Sequence, residues 1–519
     1  MPFNYENYIN FVTPYFYLGF LIIILSVVTF GFSKRKWLPL FFLVAGNLIM
    51  SGTLSYMQPF LHLWDEQVHA LVAKNMTNHP FKPMLVVSPH LDYSWKNWLA
   101  NHIWLHKQPW FLWQIALFFK IFGINTFVLR LPDMLMFSGL LLITYRMGTI
   151  IYNKPAGFYA AVILAGSNFF YRLVTGVQAT DHNDVAFVFY VSASFWSWLE
   201  LEKSGKRHWL VLTGMFSGIA ILNKWLPGLA VYSGWFASIV LSKTKRKNID
   251  NYLQLLYASG ITVAVALPWQ IYILLRFPKE SSYELGHFSQ HFFSAVEGHS
   301  GNFMFHITNI SNLYGTDFKY LILASLLSLF FIKIKNEYKI ALITWIFTVY
   351  LFFSVAATKM AAFTFIVAPL VLITVSLSIN YALKILFNQK NYLLKTVKPV
   401  VTVLVFGFIL INFSHINDLI LKNDHNTKNF YEKQIKKTIF YKKLPKLLNK
   451  GNYEFFNCPA LDHIKVMFYT GYNAHDFLPT KNDIQKLIPQ KITPVVFDDG
   501  MLPQYITEND KIIKIKKPL

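Results

Sequence analysis

His62-Leu63-Trp64-Asp65-Glu66-Gln67-Val68-His69 follows directly on the second of two apolar runs, residues 15–32 and 37–56. Each run is long enough to cross a hydrocarbon core of about 30 Å. Only 26 of the 519 residues are acidic, yet two of them stand side by side at the end of a membrane-length run, where charge is costly. If this stretch is helical, His62, Asp65, Glu66 and His69 fall at i, i+3, i+4 and i+7 and share one face. One reading is a solvated, capped helix start just outside the bilayer. The other is a catalytic carboxylate pair facing a cleft at the membrane surface. The second reading requires other charged groups to arrive at the same place, and the rest of the chain supplies them.

Working outward, the composition is 54% hydrophobic and 14% charged, with 18% aromatic residues and a mean hydropathy of +0.37. That balance excludes a soluble globule and predicts an α-helical polytopic membrane protein. Further spans are expected near 126–148, 156–174, 185–201, 208–223, 228–242, 252–275, 318–334, 338–357, 361–384 and 397–415, about 12 in all. The segment 109–123 is apolar but short and carries Lys120, which suits an interfacial or re-entrant helix. Polar and acidic residues precede the first apolar run, so no cleaved signal peptide is expected. Cys458 is the single cysteine, which excludes an internal disulfide and a thiolate metal cluster. The net charge of +22 reads as lysine-rich loops and attraction to membrane lipids, with no nucleic acid partner.

The basic residues orient the chain. Lys34-Arg35-Lys36, Lys203 with Lys206-Arg207, Lys243 to Lys247, Lys333 to Lys339 and Lys384 to Lys398 all fall on one side of these spans, which is then the cytoplasmic side of a cytoplasmic (inner) membrane. The other side receives the N-terminus, the 57–125 loop, the 176–184 turn, the 276–317 loop and everything after about 416. Residues 1–415 are thus expected to form a transmembrane catalytic domain that includes the 57–125 loop. Residues 416–519 are lysine-rich and interrupted by Pro and Asn, and form a small extracytoplasmic α/β domain. Its strands are expected at Tyr453-Glu454-Phe455-Phe456 and Pro494-Val495-Val496-Phe497, with helices over 463–469 and 482–488.

This topology brings Asp65, Glu66, Lys107, Arg130, Asp181, Asp184, Lys224 and Lys359 to the outer surface, although they are far apart in sequence. Carboxylates beside cations suit a reaction in which an acceptor loses a proton while a phosphate leaves. Each also has a structural reading. Asp184 or Asn183 can cap the next helix, Lys224 can snorkel ahead of Pro227, and Arg130 or Lys359 can neutralise helix-end carbonyls. His287 and His291 are four apart and could face a ligand together, or simply be solvated. His62, Asp65, Glu66 and His69 also have the spacing of metal ligands, so a divalent cation is an alternative there, and no other cofactor is read.

At these residues the chain resembles the C-type (GT-C) glycosyltransferases, especially the lipid A aminoarabinose transferases and protein O-mannosyltransferase-like enzymes. Asp65-Glu66-Gln67-Val68-His69-Ala70 is similar to their Asp-Glu motif in the first outer loop. His106-Lys107-Gln108-Pro109, running to Phe122-Gly123, resembles their Lys-Pro-Pro segment and Phe-Gly turn, with Gln108 in place of a proline. Val128-Leu129-Arg130-Leu131-Pro132 resembles their Leu-Arg-Leu-Pro entry into a span, and Leu267-Pro268-Trp269 a Pro-Trp helix end. Leu222-Asn223-Lys224 resembles a Leu-Thr-Lys-Gly-Pro turn in which Trp225 replaces the glycine. Lys359 with Phe363 and Pro369 resembles a Lys…Tyr…Pro segment, and Phe468-Tyr469-Thr470-Gly471 a motif of the outer domain.

The resemblance implies transfer of a sugar from a polyprenyl-phosphate carrier, with inversion, to a lipid, glycan or protein acceptor on the outer membrane face. Asp65 is then the acceptor-activating or acceptor-positioning residue, with Glu66 supporting it or holding a cation. A second acidic position falls on Asp181 or Asp184. Lys107, Arg130, Lys224 and Lys359 are the candidates for the lipid phosphate. A transporter or flippase of an anionic lipid-linked substrate is the alternative, and it would gather its polar groups near the bilayer midplane. The orientation has a direct check. After Cys458→Ser, cysteines at Asn309 and Asn473 should react with an impermeant thiol reagent on intact cells and one at Thr244 should not. Labelling at Thr244 alone would invert the topology.

Overall fold

The computed structural model describes residues 5–180, 182–316, 318–387, 392–420 and 425–518. The first two apolar runs fold as a hairpin of α1 (Tyr5–Phe32) and α2 (Leu38–Met57), so the first helix begins ten residues before the apolar run itself. The two helices touch where Gly19 meets Gly46; a Cβ on Gly46 would lie 2.7 Å from the Gly19 carbonyl oxygen. Absence of side chains there lets the backbones approach closely. α3 (Asp65–Met76) opens the long loop, which closes with α4 (Pro109–Phe122), a short apolar helix that starts on a proline and leaves Lys120 exposed.

Then come α5 (Thr126–Ile151), α6 (Lys154–Ala165), α7 (Asn168–Val174), α8 (Asp184–Ser204) and α9 (Arg207–Lys224). The Asn125 and Asn153 side chains cap α5 and α6 by accepting from the Val128 and Ala156 amides. α10 (Ala230–Val240), α11 (Ile249–Arg276) and α12 (Pro278–Phe293) follow, and later helices cover Asn336–Val355, Ala368–Leu386 and Tyr392–Ser414. Among the described residues, seven helices are long and apolar enough to cross a membrane, or eight if α6 and α7 form one bent span. α6 and α7 cover the span expected over 156–174, but its axis turns by 56° at Gly166-Ser167, a pair that supports a kink. The run 318–334 is helical only from Phe318 to Ser328.

After the helix His425–Leu447 the chain forms a parallel sheet of β1 (Asn452–Phe456), β2 (Asn473–Ala474), β3 (Ile492–Asp498) and β4 (Ile513–Lys516), in the order β2-β1-β3-β4. Helices lie at Asp462–Thr470 and Lys481–Leu487, the latter closed by a Thr480–Asp483 capping box.

One interaction ties the beginning of this fold together. Arg130, one turn into α5, is completely buried. Its guanidinium donates to the carbonyls of Ser55 (3.1 Å), Gln58 (2.7 Å) and Phe60 (2.9 Å), at and beyond the C-terminal end of α2. It also grips Glu66 at the start of α3, with Nε to Oε1 at 2.7 Å and Nη2 to Oε2 at 3.2 Å. Helix-end carbonyls need external donors, and a buried carboxylate needs a cation. One side chain supplies both. Arg130→Met would strand the Glu66 charge in the interior and should cost about 3–5 kcal/mol of stability. Adding Glu66→Leu should recover part of that loss. Denaturant unfolding in detergent reads this directly, and wild-type stability of Arg130→Met would remove the strut from the account.

Candidate active site

The turns assigned to the outer side converge on one cavity of about 620 Å³. Its wall takes Trp64 and Asp65 from the start of α3, His106 and Lys107 from before α4, and Asp184 from the start of α8. Lys224 and Trp225 come from the end of α9, Phe288 and His291 from α12, and Met360 and Phe363 from the turn after the Asn336–Val355 helix.

Two carboxylate–lysine pairs line this cavity. Lys107 Nζ lies 3.2 Å from Asp65 Oδ2, and Lys224 pairs with Asp184. Lys224 also stands over the Phe363 ring, 5.3 Å from its centre. Asp65 and Asp184 sit in the first turns of α3 and α8, where the helix dipole favours a negative charge. The geometry therefore joins four of the expected residues: Asp65, Lys107, Asp184 and Lys224. Asp181, the other candidate for a second acid, lies outside the described residues.

Three expected residues stand away from the cavity wall. Arg130 holds the end of α2 and Glu66, as described above. Glu66 turns inward to Arg130 and accepts the His62 amide at 2.6 Å. Burial opposes ionisation of Glu66, but the Arg130 charge outweighs it and holds the carboxyl down at about 2. Gly176 packs against that carboxylate: its φ is +75°, and a Cβ there would lie 2.4 Å from Glu66 atoms. Lys359 is buried and donates to the carbonyls of Phe353, Ser354 and Ala356, at 2.9, 2.6 and 2.5 Å. It neutralises the C-terminal end of a helix, the structural reading the sequence also offered, and does not line the cavity.

The four residues with metal-ligand spacing do not converge. α3 begins at Asp65, so His62 precedes the helix and leaves the expected face. Its Nε2 meets Gln58 Oε1 at 2.7 Å, while His69 Nδ1 meets His182 Nδ1 at 3.1 Å. Asp65 faces the cavity and Glu66 the guanidinium. Among the described residues no group of three His, Cys, Asp or Glu side chains is placed to hold a metal ion. Burial first, then nearby positive charge, pushes His69 well below its ordinary range. His182 is lowered to about 4, mainly by burial, so both imidazoles are neutral.

One residue beside the site, Glu284, was not singled out from the sequence; it stands against His106. His106 stacks on Trp98, with ring centres 4.7 Å apart and planes 11° from parallel, and its Nδ1 lies 3.2 Å from Glu284 Oε2. Burial, followed by the Lys107 charge, lowers His106 to about 3, and burial raises Glu284 to about 7. Below about 7 the carboxyl is protonated and donates to a neutral imidazole. His291 lines the cavity, whereas its neighbour four residues back, His287, faces the His106 ring at 5.6 Å. The signal available for Glu284 was a lone acid among four aromatic or imidazole residues, Tyr283, His287, Phe288 and His291.

Comparison with known proteins supports the same architecture. Residues 106–272 match the dolichyl-phosphate-mannose-protein mannosyltransferase family. A Bacillus subtilis (strain 168) protein, YycA, whose name places it among mannosyltransferases, is 25% identical over 174 residues. That match covers 33% of this chain and 24% of the relative, so the chain aligns with about a quarter of the relative's length. ArnT from Cupriavidus metallidurans, solved bound to undecaprenyl phosphate, superposes with a TM-score of 0.62 at 13% identity, over 89% of this chain and 90% of that one. The oligosaccharyltransferase AglB from Archaeoglobus fulgidus, solved with an inhibitory peptide and a dolichol-phosphate, gives 0.51 at 13% identity, over 83% of this chain and 64% of that one. With most of both chains superposed on ArnT, and the mannosyltransferase match spanning the segment from Lys107 through Lys224, this chain is a polytopic membrane protein of the C-type glycosyltransferase fold.

Proposed function

We propose that this protein transfers a sugar from a polyprenyl-phosphate carrier to an acceptor hydroxyl or amine on the outer face of the membrane, with inversion at the anomeric carbon. The observation that carries the reading is the meeting of two carboxylate–lysine pairs in one cavity whose other walls are largely aromatic and aliphatic. A phosphate head needs fixed cations and a prenyl tail needs an apolar wall, and a site of this kind offers both. The relatives solved with undecaprenyl phosphate and dolichol-phosphate support the same donor class.

In this reading the acceptor heteroatom attacks the anomeric carbon as its proton passes to Asp65. The bond from that carbon to the phosphate oxygen breaks, and polyprenyl phosphate leaves with the electron pair. Lys107 and Lys224 stabilise the charge that develops on it. Asp184 orients Lys224, and Arg130 with Glu66 hold Asp65 at the mouth of α3. α4 starts next to the cavity-lining Gln108, and its exposed Leu117, Ile121 and Phe122 would offer the prenyl tail an apolar surface.

Two measurements test this. Asp65→Asn keeps the size and helix-start preference of the side chain but removes its charge. Sugar transfer from a synthetic polyprenyl-phosphate donor should fall by roughly 10²–10⁴-fold while donor binding persists. Near wild-type transfer would dismiss Asp65 as the base, and lipid translocation with no transfer by the wild type would favour a flippase. The second concerns pH. Glu284 is neutral below about 7 and ionises above it, adding negative charge beside Lys107 where the phosphate binds. Donor affinity should therefore decline as pH rises through about 7, and Glu284→Gln should flatten that decline. An unchanged profile in the Gln variant would assign the titration elsewhere.

A further inference from the structure

Two tryptophans flank the reacting groups in a backbone conformation that suits neither. Trp64, immediately before Asp65, has φ 63° and ψ −125°; Trp225, immediately after Lys224, has φ 65° and ψ −149°. Both lie in or beside a region that essentially only glycine occupies, because a Cβ clashes with the backbone there. A bulky side chain makes the outlier more costly. The positions themselves favour glycine for a second reason. Trp64 is the cap residue at the start of α3 and Trp225 the one at the end of α9, and glycine is accepted at the first and preferred at the second.

Packing gives little in return. Trp64 stays 42% exposed, and its side chain makes no aromatic contact among the described residues. Trp225 is half-buried against Phe288, and its indole N–H meets no acceptor among the described residues. Both line the same cavity as Asp65 and Lys224. Strain of this sort persists where the surroundings enforce it, and it concentrates at ligand sites.

We infer that Trp64 and Trp225 are specificity-determining residues that form the monosaccharide subsite, each offering an indole to a pyranose ring while the phosphate lies on Lys107 and Lys224. The inference rests on the proposed transfer reaction and deepens it. A pyranose presents C–H faces that pack on an indole and hydroxyls at its rim. An indole supplies a rigid apolar plane with one N–H donor at its edge, which matches that alternation. Placing one indole next to the base and the other next to a phosphate cation puts the platform where the anomeric carbon must sit. Without a sugar, these indoles would have no ligand to offset the strain.

The test uses the residue that the backbone itself prefers. Trp64→Gly and Trp225→Gly relieve the strain and keep the caps, so the full-length variants should unfold at or above the wild-type temperature. Binding is measured for sugar-free polyprenyl phosphate and for polyprenyl phosphates carrying mannose, glucose or galactose. The wild type should bind at least one loaded donor more tightly than the bare lipid phosphate. Each glycine variant should lose that advantage by about 10- to 100-fold, with bare-lipid affinity unchanged, and Trp64→Phe should keep part of it. Retention of the advantage in both glycine variants would overturn the inference and leave the transfer reading standing. Parallel loss for loaded and bare lipid would show the indoles to be scaffold, again overturning it. A wild type that binds none of these lipids would bring down the transfer reading itself.

Discussion

The constraint on which the site depends is the buried ion pair between Arg130 and Glu66. Neither side chain is exposed, and together they satisfy each other, three carbonyls around the end of α2 and the amide of His62. A charge pair in a low-dielectric interior is stable only when its remaining donors and acceptors are also filled. Here they are filled by the segment that leads into α3, so the position of Asp65 is fixed by the neighbouring residue's geometry. Gly176 completes the arrangement by leaving room for the Glu66 carboxylate, which links the turn before α8 to the same centre.

Two adjacent carboxylates thus divide the work. Successive residues of a helix point about 100° apart, so Asp65 and Glu66 cannot both serve the cavity. The one that turns inward meets a guanidinium, whose planar fork suits a carboxylate and stays charged. The one that turns outward meets Lys107, a flexible ammonium that can exchange a carboxylate partner for a phosphate. The Asp184–Lys224 pair repeats the outward arrangement on α8 and α9. The buried cation and the cavity-lining cations therefore differ in kind for a physical reason.

Much of this was legible in the sequence, and the failures are specific. The spacing of apolar runs located the helices, and the basic loops gathered Asp65, Lys107, Asp184 and Lys224 on one side because charge bias depends only on composition. Whether a charged side chain faces a cavity or a carbonyl collar depends on its χ angles, to which composition is blind. For Arg130 and Lys359 the sequence therefore left two readings, phosphate cation and helix-end partner, and in the structure the carbonyls of Ser55, Gln58 and Phe60, and of Phe353, Ser354 and Ala356, hold them. The metal-ligand spacing around Asp65 failed because it assumed a helix through His62, and the helix begins three residues later. Trp225 was noted as a departure from a glycine, but its positive φ was hidden, since a tryptophan argues against that conformation. In the last hundred residues, the strands of five and seven residues, β1 and β3, showed in the pattern, whereas β2, two residues long, is too short to carry a period.

The long loop between α3 and α4 shows why a site on irregular chain can still be precise. A connection from 77 to 108 with little secondary structure of its own would ordinarily be mobile. Here several of its fixings come from the C-terminal sheet and the Asp462–Thr470 helix beside it. His90 lies 2.6 Å from the buried Glu454 of β1, whose other oxygen lies 2.6 Å from His475. Asn473 donates to the Ser88 carbonyl, and His463 contacts that of Leu99. From α3 itself, Lys74 reaches the carbonyl of Phe468 at the end of the Asp462–Thr470 helix. These contacts are polar and directional, so they fix the loop's register where apolar packing alone would let it slide. The loop then delivers Trp98, His106 and Lys107 to the cavity wall. No residue of the sheet lines the cavity, yet its contacts order the segment that carries Lys107, whose charge stands next to Asp65. The C-terminal sheet thereby becomes part of the electrostatics of the cavity.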